Sequence, residues 1–166
     1  MQLDTQSILR LRDALLQRSG VKNLPEGHQP LDEASPEIRA LIARVEPMGE
    51  ALYLMMVIDG QADPQERQSL ERAIQILTAG GLSAGSLNQL FAGYEERFQN
   101  QGAEGRMTQV GAQLCADKED AEATLMLAAA IALADGNVAL SESKILEGLS
   151  EWLGFSERQA QSILSR

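Results

Sequence analysis

The residues best suited to chemistry in this chain are carboxylates set around glycine. Asp59-Gly60-Gln61-Ala62-Asp63-Pro64-Gln65-Glu66 returns in the second half as Asp135-Gly136-Asn137-Val138-Ala139-Leu140-Ser141-Glu142. Each copy of this Asp-Gly-x-(small apolar)-x-x-x-Glu pattern follows an apolar run and precedes an amphipathic one. Three uses of such carboxylates are open. The aspartate can accept hydrogen bonds from the N–H groups just after it, while the glutamate reaches back to an N–H at the start of the next helix. The carboxylates can hold a hard divalent cation, Ca²⁺, Mg²⁺, Mn²⁺ or Zn²⁺. They can also meet a protein partner.

One oddity favours the cation. Asp59 and Asp135 are placed at helix C-termini, where the helix dipole disfavours an anion by about 0.3–1 kcal/mol, and both copies accept that cost. The pattern resembles the back half of an EF-hand loop. The oxygen-bearing front half is missing, because Met55 and Val57 in one copy, and Ile131 and Leu133 in the other, stand where ligands should be. A standard EF-hand is therefore excluded. The candidate set is Asp59, Asp63, Glu66, Asp135 and Glu142. Asp63 has no counterpart in the second copy, where Ala139 stands, so the first turn is the stronger site.

Other candidates reduce to structural roles. His28 is the single histidine and sits in a Pro/Gly-rich segment with no nucleophile in view. Cys115 reads as a small core residue near a helix end, and the single cysteine rules out an internal disulfide. Zinc has no supporting Cys/His spacing, and di-iron chemistry needs two Glu-x-x-His pairs. Asp117-Lys118-Glu119-Asp120-Ala121-Glu122 reads as the solvated first turn of a helix. Met55, Met56, Met107 and Met126 read as core filling, and Trp152 as an anchor of the second half. No catalytic centre is expected.

The chain has 166 residues, 44% of them apolar and only 4% aromatic. It is long enough to bury a core, and its wealth of Ala, Leu, Gln and Glu favours helix. A net charge of −10 argues against a phosphate-backbone groove. The N-terminus lacks a basic region followed by an apolar stretch, and the longest apolar run, 125–134, is too short to span a bilayer. The expectation is a cytoplasmic protein without a membrane span or a nucleic-acid partner.

Helical elements must position the acidic turns. Ile8, Leu11, Leu15 and Leu16 mark an N-terminal helix over 3–17, followed by a Pro/Gly-rich loop over 20–35. That arm either docks or frays. Ser35-Pro36 opens a second helix, Pro47 is expected to break or kink it, and 50–58 forms a buried segment ended by Gly60. Asp63-Pro64 starts the next helix, and Gly80-Gly81 stops it. Ser83 opens a helix to about Phe98, and 99–105 is a polar connector. A helix over 106–116 follows. Asp117 caps an alanine-rich buried helix, Gly136 ends it, a helix over 140–153 follows, and Gly154 with Ser156 leads to a last short helix. The tails correspond, Gly81-Leu82-Ser83 answering Gly154-Phe155-Ser156. The fold class is all-α: a bundle of seven to nine helices from two pseudo-repeated units.

Ala-Asp-Gly-x-Val-x-x-x-Glu after an Ala-rich helix, as in 134–142, resembles the signature of the TerB-like (tellurite resistance protein B) family; the copy at Asp59 matches more loosely. The likeness covers 35–166, in halves of about 35–101 and 102–166, and leaves 1–34 as an N-terminal helix and loop outside it. It implies a helical fold with internal two-fold pseudosymmetry and a non-enzymatic interaction module. It also implies a protein partner, placement in the cytoplasm or at the inner face of the membrane, and a link to tellurite and other chemical stress. Divalent-cation binding in the family carries over by position to Asp59, Glu66, Asp135 and Glu142. The alternative is a purely structural protein–protein adaptor that binds no metal.

Overall fold

A computed structural model of the chain describes residues 5–18, 36–58, 64–132 and 140–165, with backbone alone for 132 and 140–145. Among the described residues there are seven helices and no strand: α1 (Thr5–Arg18), α2 (Pro36–Ile58), α3 (Pro64–Leu77), α4 (Ala84–Cys115), α5 (Lys118–Ala132), α6 (Leu140–Trp152) and α7 (Glu157–Leu164). The all-α expectation holds.

α5 is the axis of the bundle and packs against every other helix. Its sequence permits this: Ala121, Ala123, Leu125, Leu127, Ala128 and Ala130 are all buried, and small side chains let neighbouring backbones come close. α1 docks rather than frays. Its stripe of Ile8, Leu11, Leu15 and Leu16 is buried against α3 and α5.

Two helix boundaries differ from expectation. Pro47 lies inside one continuous α2. It removes the bond its N–H would give to the Ala43 carbonyl, yet burial of Val45, Pro47, Met48 and Gly49 holds the helix through it. The Tyr94 hydroxyl also donates to the Glu46 carbonyl at 2.7 Å. A Cβ on Gly49 would come within 2.6 Å of that hydroxyl, so glycine is what lets α2 and α4 meet here. The second difference is the polar connector, which shrinks to one residue. Residues on both sides of Gly102 are helical, and only Gly102, at φ 74° and ψ 168°, departs. Gln, Ala and Glu are good helix formers and extend both segments up to the glycine.

The corners after α3 and α6 share one design. Gly80 N–H donates to the Gln75 carbonyl and Ala79 N–H to that of Ile76, as Phe155 does to Ser150 and Gly154 to Glu151. These are Schellman motifs. The left-handed residues are Gly154 (φ 82°) in one and Ala79 (φ 52°) with Gly80 (φ 73°) in the other, so the first stop begins one residue upstream of the expected Gly80-Gly81. The left-handed conformation costs an alanine about 1–2 kcal/mol. Ser83 and Ser156 then cap α4 and α7 by accepting from the N–H of Ser86 and Gln159.

Two further side chains are placed differently or more specifically than expected. Cys115 is exposed, its thiol donating to the Leu153 carbonyl at 3.4 Å. Trp152 is half-buried because its indole lies on Gly111 of α4, where a Cβ would sit 3.0 Å from Nε1. Among the described residues, no helix is long and apolar enough to cross a membrane.

Candidate functional site

The two acidic patterns fall at corresponding places in the helix order. α2 ends at Ile58 and α3 begins at Pro64; α5 ends at Ala132 and α6 begins at Leu140. The helices that run into the two turns, α2 and α5, pack on each other, and α3 packs on both. Asp59, Asp63 and Asp135 lie outside the described residues, as does His28. Glu66 is half-buried in the first turn of α3. Glu142 belongs to the α6 backbone, with its side chain outside what is described. Among the described residues, no three His, Cys, Asp or Glu side chains converge as a metal set.

Elsewhere the structure brings charges together in two clusters that the sequence did not reveal. The first surrounds the N-terminus of α5. Asp117 caps the helix, its carboxylate accepting from the Glu119 N–H at 3.0 Å. Arg18 at the end of α1 reaches Asp117 at 2.6 Å, Glu119 at 2.7 Å and Asp120 at 3.1 Å. Arg44 of α2 joins Asp120 at 3.0 Å. The run read as a solvated first turn does attract cations, and they are arginines of the same chain. Hydrogen bonding from Arg18 holds the Asp117 carboxyl below its ordinary value, ahead of the opposing effect of desolvation. Burial alone would lower the Arg18 pKa, but the bond to Asp117 and the neighbouring carboxylates outweigh it and raise the value.

The second cluster is interior. Glu50 of α2 is 3% exposed and takes a forked pair of bonds from Arg106, Nε and Nη2 each at 2.8 Å. Arg97 adds contacts at 3.3 and 3.2 Å, and the remaining Arg106 nitrogen donates to Gln109 at 2.7 Å. Burial, with Glu46 and Glu50 nearby, pushes the Tyr94 hydroxyl well above its ordinary pKa, so it stays a donor. Arg97 and Arg106 lie on opposite sides of the Gly102 break. The carboxylate therefore ties both segments of α4 to α2. One signal was present in the sequence: a lone glutamate at the head of an apolar run.

Both clusters are closed on themselves. Their carboxylates face guanidinium groups, and neither pairs a nucleophile with a base.

A family model described as Tellurite resistance protein TerB matches residues 48–165. No curated protein and no solved structure matches the chain. The matched region contains both acidic patterns and runs from mid-α2 to the end of α7.

Proposed function

The chain belongs to the TerB family, and from that premise we propose that it is a non-enzymatic interaction module whose acidic turns are its working surface. Asp59, Asp63 and Glu66, with Asp135 and Glu142, take a divalent cation, and the ion-loaded or ion-free turns present different surfaces to a protein partner. The observation that carries this reading is that the family match encloses both copies of the pattern. Each copy sits at the junction of an apolar helix and an amphipathic one. The family's description, tellurite resistance, supports a role in tolerance of tellurite; we extend this to related chemical stress and to a partner in the cytoplasm or at the inner face of the membrane.

Turnover forms no part of the proposal. One histidine and one cysteine give few options for general acid–base or nucleophilic chemistry, and the net charge of −10 makes nucleic acid an unsuitable partner.

Calorimetric titration of Ca²⁺, Mg²⁺, Mn²⁺ and Zn²⁺ into the protein, beside Asp59→Asn and Asp135→Asn, tests the cation. The expected result is heat and a raised melting temperature for at least one ion, both reduced in the variants and more so in Asp59→Asn. Silence from all four ions, with a partner still recovered through the same turns, leaves the metal-free adaptor as the correct reading.

A further inference from the structure

Residues of α6 and α7, on either side of the corner at Gly154, line a cleft of about 410 Å³. Its apolar surface is Leu146, Ala160 and Leu164; its acidic rim is Glu147, Glu151 and Glu157. Leu164 is 42% exposed, one of two large apolar side chains so placed among the described residues. On α7, Glu157, Ala160, Gln161 and Leu164 follow the i, i+3, i+4, i+7 spacing of one helix face. Ala160 and Ile163 are buried while Leu164, four residues on from Ala160, is exposed, so the apolar stripe of α7 is only partly covered by the bundle. None of the residues lining the cleft is basic.

We propose that the α6/α7 cleft is the docking site for a basic amphipathic helix of a partner protein. This rests on the interaction-module reading and names the surface and partner chemistry that reading lacks. Charge selects the occupant. The chain carries −10 overall, and three glutamates flank the cleft, so lysines or arginines bordering an apolar stripe complement it. A second copy is a poor fit: an isologous dimer through this face sets the same carboxylates against one another. Shape selects a helix. A cleft flanked by two helices accepts a third as ridges into a groove, and among the described residues no strand offers an edge for an extended peptide.

The test uses the full chain and a synthetic helical peptide of about 18 residues, long enough to hold helix, with leucines on one stripe and lysines beside it. The same peptide with glutamate in place of lysine is the control. Methyl resonances of Leu146, Ala160 and Leu164 are expected to shift with the lysine peptide alone. Leu164→Glu, and separately Glu147→Lys with Glu151→Lys, are expected to weaken binding by about tenfold or more. Glu95→Lys with Glu96→Lys, exposed on α4 and identical in net charge change, is expected to leave binding within about twofold. Melting curves confirm that each variant folds.

Equal losses in the cleft and α4 variants would overturn the proposal, since net charge alone would then explain binding. So would shifts confined to other helices, binding of the glutamate peptide, or a dimer abolished by Leu164→Glu. Binding to anionic vesicles without binding to the peptide has the same force. A silent cleft with cation heats intact at Asp59 and Asp135 sinks the cleft and spares the acidic turns; the reverse pattern sinks the turns alone.

Discussion

Glu50 is the residue whose environment is least forgiving. A carboxylate at 3% exposure is tolerable only because Arg106 meets it with two parallel bonds at 2.8 Å and Arg97 supplies a second cation. Such clusters add little net stability compared with apolar residues of the same volume, but removing one partner strands a charge. Arg106→Met is therefore expected to destabilise the protein by about 3–5 kcal/mol in urea denaturation. Adding Glu50→Leu to that variant is expected to recover a large part of the loss, giving a strongly non-additive double-mutant cycle. Simple additivity of the two changes would mean that Glu50 and Arg106 are not coupled and that α4 is held by packing alone. The cluster was not legible in the sequence for a plain reason. Glu50, Arg97 and Arg106 come together only after α2 and α4 pack; the sequence shows a lone glutamate at the head of an apolar run but nothing that names its partners.

The elements themselves were mostly legible, because each is a strong local statement. The stripe of Ile8, Leu11, Leu15 and Leu16 gives α1, α2 starts at Pro36, and Asp117 caps α5. Local reading failed at two places, for two different reasons. Pro47 reads as a break or a kink, and the break does not occur: the buried turn around it keeps α2 whole. The polar residues beside Gly102 read as a connector, yet they are helix formers. The candidate site was legible only as a pattern, since its turns join helices whose mutual packing the sequence does not encode locally. The α6/α7 cleft likewise forms only once the two helices have packed. One element-level contact has a pH signature. Arg18 at the end of α1 holds Asp117 below its ordinary pKa. A depressed folded-state value contributes stability above the ordinary value of 3.8, and that contribution is lost as the pH falls through the folded value. Asp117→Asn keeps a good capping residue and removes the charge. The variant is expected to melt below the wild type near neutral pH, and the gap is expected to close as the pH drops below about 4. Arg18 also contacts Glu119 and Asp120, so the difference between the two proteins, not the wild-type curve alone, isolates Asp117. A gap that stays constant from neutral pH to about pH 3 would assign Asp117 to capping only.

At the scale of the whole molecule, the family-matched region and the folding unit are not the same length. The match begins at Met48, inside α2, and leaves out α1 and the first half of α2. Those parts hold Ile8, Leu11, Leu15, Leu16, Ile38, Leu41 and Val45, all buried. They also hold Arg18 and Arg44, which tie α1 and α2 to the start of α5, and the Glu46 carbonyl that receives the Tyr94 hydroxyl. Burying one such apolar side chain contributes about 1.5–3 kcal/mol, and a domain of this kind is stable by only about 5–15 kcal/mol. Losing seven of them, with α3 and α5 left uncovered, is a loss as large as the whole net stability. A fragment of residues 48–166 is therefore expected to lack a cooperative thermal transition and to bind a hydrophobic dye, whereas the full chain melts cooperatively and does not. A fragment of residues 36–166, which restores α2 but not α1, is expected to fold with a lowered melting temperature and an exposed apolar strip between α3 and α5. Adding the α1 peptide, residues 1–18, in trans is expected to raise that melting temperature in proportion to occupancy. If instead 48–166 melts cooperatively at the temperature of the full chain, α1 and the start of α2 are appendages, and the bundle that carries the acidic turns stands without them.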